Sequence, residues 1–341
     1  PSDPRPHVLL GDRMTKWPGH GLDANGQFQF VEHEFMKAED YDEFLEDPAD
    51  WAVRVYLPRA FSALEGFSLL PPLGMHLFGT YNIMGGAAVF AAPPIVAAFQ
   101  AYAKAAQMMA DDAVLAVKNA ERNAAIGIPL PFIAGSIIEA PFDFMSDTLR
   151  GMRGIMLDVV QRPEKLLAAE EKVFHFQVKY AIDFARTTGL KSCFIPLHRG
   201  SDGFLSLPQF EKFYWPQLKK MIVTLVQNGI RVGCFYEGVW DQRLKYLAEL
   251  PKGKTVGWFQ RSDIFKVKEI VGKTVCIIGG MPNTMLQGGT VAEVRAHTKK
   301  VCEVVGKGGG FIMGTGVGEM SGSKPELVKA WVEATREFGK Y

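Results

Sequence analysis

Cysteine is scarce in this 341-residue chain: there are four, Cys193, Cys234, Cys276 and Cys302, and no two form a Cys-x-x-Cys pair. That spacing excludes a disulfide framework and a zinc ribbon. Three of the four lie on or beside apolar runs, which predicts reduced, buried thiols in a cytoplasmic protein. An excess of either charge is missing too. Lys and Arg number 38 against 37 Asp and Glu, a net charge of +1, so there is no electrostatic case for nucleic acid or a membrane as partner. Nor is there an uninterrupted apolar run of the roughly 20 residues that a membrane span needs. The apolar stretch from Leu69 to Pro94 is broken by Pro71, Pro72, Gly74, Gly79, Gly85 and Gly86 and contains His76. It reads as a mobile loop or lid over a cavity. Internal repeats, low-complexity linkers and a dinucleotide-binding fingerprint are also absent.

What is present suits a large globular core: 48% hydrophobic residues and 35 glycines. Asn25-Gly26 before the alternating QFQFVEHEF predicts a hairpin. A polar helix is expected near Ala38 to Glu46, ending before Asp47-Pro48. The Ala-rich stretch from Ile95 to Ala125 predicts one long helix stopped by Gly127. Beyond it, apolar runs alternate with amphipathic helical stretches. The runs are 129–136, 192–198, 231–237, 255–260, 274–280 and 309–316. Such alternation predicts an α/β fold with a parallel sheet and helical crossovers. Without a dinucleotide motif it favours a closed (β/α)8 TIM-type barrel, with an N-terminal hairpin and helical additions, over an open doubly wound sheet. The expected organisation is one domain over 1–341, with 1–60 as extension and hairpin and 61–341 as barrel.

In such a sheet the carboxyl ends of the strands share one side, where α/β barrels place their active sites. The residues there are informative. CFYEGVWDQRLKYL, Cys234 to Leu247, delivers the lone carboxylate Glu237 from an apolar strand, followed by Gly238. The other strand ends carry His198, Arg199 and Asp202; Arg261 and Asp263; Asn283; and Thr315 and Glu319. His198, Glu237 and Asp263 form the centre of this mouth. Such a trio suits an acid–base array around an organic substrate or the ligands of a zinc ion, with His198 and Glu237 as the leading metal ligands. The plainer alternatives stay open: Glu237 and Asp263 each capping the helix that follows, and His198 a satisfied loop residue. The glycines at Gly308 to Gly310 precede a strand, so they read as a helix stop and turn, not a phosphate cradle.

The C-terminal half, in the order Gly279-Gly280-Met281-Pro282, Leu286, Gly288-Gly289-Thr290, Glu293-Val294, Gly308 to Ile312 and Lys324-Pro325-Glu326, resembles the uroporphyrinogen decarboxylase superfamily. The segments 34–48 and 140–173 are similar to elements of the same superfamily, and the likeness covers most of 30–340. It implies a (β/α)8 barrel with its site at the carboxyl ends of the strands. Two branches differ in their residues. True decarboxylases carry a paired N-terminal Arg motif and a late His after a glycine-rich strand; here the N-terminal third has only Arg5, Arg13, Arg54 and Arg59, and the late position reads GTGVGEM. The corrinoid-linked methyltransferases hold zinc with a His-x-Cys pair and a later Cys. Those positions read here as Phe235-Tyr236-Glu237 and Val317, so thiol activation by that ligand set is lost. The resemblance therefore implies a methyltransferase moving a methyl group between a small organic compound and a corrinoid (methylcobalamin) carried by a partner protein. Glu237 would stand at the reaction centre, with or without zinc, and His198 and Asp263 would complete the set. Asp202, Arg261, Asn283 and Tyr236 would position substrate. The alternatives are a decarboxylase of a tetrapyrrole or other carboxylate, and a non-catalytic ligand-binding barrel; a homodimer is left open.

Overall fold

In the computed structural model, the structure describes residues 3–24, 26, 28–74, 79–127, 134–318 and 320–340. The chain divides into two compact units, one of residues 1–130 and 144–172, the other of 131–143 and 173–341.

The first unit is mostly helical. A small sheet joins β1 (Thr15–Pro18), β2 (Gly21–Leu22) and β3 (Gln29–Phe30) in the order β2-β1-β3. β1 and β3 are antiparallel, Thr15 opposite Phe30, a register centred before the expected Asn25-Gly26 turn, of which Asn25 lies outside the described residues, and the residues ahead of that turn form β2, parallel to β1. The polar helix appears as a short 3-10 turn, Ala38–Asp40, and the helix Tyr41–Glu46. Asp47 ends it and caps the next, Pro48–Trp51, accepting from the amides of Ala49 and Asp50. The long helix runs Pro93–Ala125, with prolines where amide donors would in any case lack partners. The stretch 75–78, including His76, and residues 128–133, where the first apolar run begins, lie outside the described residues.

The second unit carries the predicted α/β pattern. Six strands form one sheet: β4 (Ser136–Ile137), β5 (Ser192–Leu197), β6 (Arg231–Tyr236), β7 (Thr255–Phe259), β8 (Val275–Met281) and β9 (Phe311–Thr315). They lie in sequence order, each parallel to the next. Crossover segments such as Trp215–Gln227 and Ile264–Val271 separate them, because parallel neighbours cannot be joined by a tight turn. β5 and β6 are each buried at four of six positions, on both faces of the sheet, which is why they read as largely apolar runs. Of the eight strands expected, six are found among the described residues, and there β9 is not paired with β4.

The thiols are free; those of Cys193 and Cys234 are buried. Burial pushes the Cys193 thiol up to about 11 and the Cys234 thiol up to about 12. Neither is a nucleophile at neutral pH.

Candidate functional site

The parallel register puts the carboxyl ends of β5 and β6 side by side: Leu197 pairs with Tyr236. The next residues, His198 and Glu237, therefore emerge as neighbours. His198 Nε2 lies 3.7 Å from Glu237 Oε2, and the two side chains are 30% and 47% exposed. An imidazole and a carboxylate at this separation, both within reach of solvent, can exchange a proton with a bound compound.

Their backbones are held closely. The Glu237 amide donates to Leu197 O, and its carbonyl accepts from Trp240 Nε1 at 2.8 Å. Gly238 follows with φ of +75°, a conformation that glycine adopts without the steric cost a Cβ brings. Its amide donates to Gln260 Oε1 at 2.6 Å, tying the turn after β6 to the turn after β7. On the other side the amides of His198 and Arg199 donate to the two oxygens of Asp143, at 3.1 and 2.8 Å. Asp143 is fully buried and also accepts from Tyr214 Oη at 2.6 Å. It orients the loop without facing solvent. No local motif marks Asp143, because its partners are 55 and 71 residues away.

The other expected site residues are placed differently. Asp263 caps the helix Ile264–Val271, accepting from the amides of Phe265 and Lys266. Asp202 faces inward: Oδ1 pairs with the buried Arg243 guanidinium at 2.5 Å, and Oδ2 accepts from the Gln242 amide. Tyr236 is buried, its ring stacked on Phe259 at 4.7 Å, and burial next to Cys234 holds its hydroxyl well above the usual range. Arg261 and Asn283 line a cavity of about 570 Å³ beyond the ends of β7, β8 and β9. Phe259, Gln260, His297 and Val317 also contribute to its wall. Glu237 and His198 are not part of this wall; Gln260, which clamps Gly238, is.

His297 is a lining residue that sequence reading passed over, because a histidine within an amphipathic helix, Val291–Val304, carries no motif. Its Nε2 lies 2.6 Å from Gly280 O. A carbonyl only accepts, so Nε2 carries the proton. Gly280 itself has φ of +102°, and a Cβ there would meet Val301 Cγ1 at 2.9 Å.

Zinc does not fit this arrangement. Catalytic zinc takes three protein ligands. His198 and Glu237 offer two, and Asp263 is engaged by helix amides. Among the described residues no group of three or more His, Cys, Asp and Glu side chains comes together as a metal site.

A family model described as uroporphyrinogen decarboxylase (URO-D) matches residues 73–338. No curated protein matches the chain. Among solved structures, a methyltransferase from Methanosarcina mazei is similar with a TM-score of 0.49 and 20% sequence identity, over 60% of this chain and 58% of that one. The match thus spans less than two thirds of that structure's length.

Proposed function

The chain belongs to the uroporphyrinogen decarboxylase family, and from that premise we propose that it is a methyltransferase acting on a small organic compound. The second substrate in this reading is a corrinoid brought by a partner protein. The observation that carries the proposal is the His198–Glu237 pair, 3.7 Å apart at adjoining strand ends. When a methyl group leaves an oxygen or nitrogen, the bonding pair stays on that atom and needs a proton, while the acceptor's lone pair forms the new bond to carbon. A fixed carboxylate–imidazole pair supplies the proton in one direction and removes it in the other. Clamping by Asp143, Leu197 and Gln260 keeps the pair in place before substrate arrives, which reduces the entropy cost of alignment. Within this proposal Arg261 and Asn283 hold the substrate in the neighbouring cavity, and no step is assigned to zinc. The six consecutive parallel strands are read as the visible part of a (β/α)8-type sheet.

A second reading, decarboxylation, is favoured by one observation: the guanidinium-bearing residue Arg261 lines the cavity, where it suits a substrate carboxylate. Both readings are tested together. The purified protein is mixed with methylcobalamin and candidate acceptors, or with cob(I)alamin and methoxylated or methylamine compounds. Demethylation or methylation of the corrinoid is followed by its absorbance, and carbon dioxide release is assayed separately with uroporphyrinogen. Glu237→Gln is expected to lower methyl transfer about 10²- to 10⁴-fold while leaving the melting temperature unchanged. A fully active Glu237→Gln variant refutes the role. Carbon dioxide release without any corrinoid change selects the second reading.

A further inference from the structure

One surface of the first unit stands outside this chemistry. The helix Thr80–Phe90, TYNIMGGAAVF, has no charged residue and no buried one. Tyr81 is 93% and Met84 76% exposed. The chain bends by 89° and continues into the Pro93–Ala125 helix. The first turns of that helix bury Ile95 and Ala98 among Leu64 and Phe67 but expose Val96, Phe99 and Tyr102. From Gly66 to Ala103 there is no Asp, Glu, Lys or Arg, and the first charge is Lys104.

A helix on a protein surface ordinarily turns a polar face to water, and one that is apolar on every side is found buried in a core or in lipid. Val89 and Phe90 at the end of Thr80–Phe90 pack against the cluster of Leu64 and Phe67; another helix or a groove would cover one face of the turns before them, whereas hydrocarbon covers all of those faces. The charge pattern agrees, being uncharged through its depth with a cation at its rim. No single described helix is long and apolar enough to cross a membrane. At 1.5 Å per residue this one reaches roughly 16 Å, about half of the ~30 Å hydrocarbon thickness.

We propose that residues 79–103 form a docking surface for a lipid bilayer, entering one leaflet without crossing it. Tyr81 and Tyr102 lie at the polar boundary, as aromatic residues prefer, and Lys104 faces lipid phosphates. The attraction is burial of apolar surface, so the chain's balanced net charge does not oppose it.

The test is flotation of the full chain with vesicles of phosphatidylcholine alone and of phosphatidylcholine with phosphatidylserine. The protein is expected to float with both, several-fold more with the anionic mixture. Met84→Asp and Tyr81→Asp are each expected to reduce the floated fraction at least tenfold with unchanged thermal melting. Val332→Asp, at a 39% exposed position on another helix, is expected to float normally. A protein that does not float, or a Met84→Asp variant that floats as well as the unaltered chain, overturns the proposal. So does a protein that stays off vesicles but self-associates through this patch, losing its dimer in light scattering on Met84→Asp; that result assigns the surface to a second copy.

Discussion

Each unit contains a fully buried aspartate, and the two are satisfied in different ways. In the first unit Asp158 pairs with the buried Arg150 at 2.5 Å and accepts from Tyr41 Oη at 2.8 Å. Arg150 also reaches Glu34 and the Met36 carbonyl. Burial pulls the Arg150 guanidinium down, but its bonds to Asp158 and Glu34 outweigh that and hold it above its usual range. In the second unit Asp143 accepts from the backbone amides of His198 and Arg199. The first arrangement joins side chains and fixes packing. The second fixes a stretch of main chain, and that main chain carries a candidate catalytic histidine. A buried carboxylate is thus informative about function through what it orders.

The strongest way to break this comparison is Asp158→Ala. It leaves the buried Arg150 with the half-exposed Glu34 as its remaining carboxylate and is expected to cost about 3 kcal/mol, read by denaturant unfolding. Turnover per folded molecule should stay unchanged. Asp143→Asn should cost less stability, about 1–3 kcal/mol for amides left poorly paired. It should, however, lower methyl transfer roughly 10- to 100-fold by loosening His198, a loss that Asp158→Ala does not share. If both variants lose activity equally per folded molecule, the contrast fails. Asp263→Ala sharpens it from the other side. As a helix cap it should cost about 1 kcal/mol and leave turnover near that of the unaltered protein; a catalytic Asp263 would lose activity far out of proportion to stability.

A further effect is expected at alkaline pH. Cys193 and Cys234 have folded-state values raised from 9.0 to about 11 and about 12. Their contribution is full below pH 9 and is lost as pH rises towards 12, because the unfolded chain releases these protons first. Thermal melts between pH 8 and pH 10.5 should show stability falling, with a shallower fall when both cysteines are replaced by alanine.

The comparison also marks how far sequence reading reaches. β5 to β9 are legible because central parallel strands are buried on both faces, so Ser192–Leu197 and Arg231–Tyr236 appear as apolar runs. The Asp263 cap is legible because Ser262-Asp263 directly precedes the helix it caps. Asp202 and Tyr236, to which the resemblance gives a substrate-positioning role, turn inward instead. Their inward direction depends on Arg243 and Phe259, distant in sequence from at least one of them. His297 and the Asp143 clamp are illegible for the same reason.

By itself the sequence determined the local and periodic features: an α/β alternation, the family, a carboxylate ending β6, and a 38-residue segment without Asp, Glu, Lys or Arg. Propensity, strand burial and capping act between near neighbours, so they are written in order along the chain. Tertiary structure alone decided that His198 meets Glu237, that Asp143 accepts from the His198 and Arg199 amides and the Tyr214 hydroxyl, and that Asp202 turns to Arg243. Those partners are brought together by strand register and core packing, and neither can be counted from spacing in one dimension.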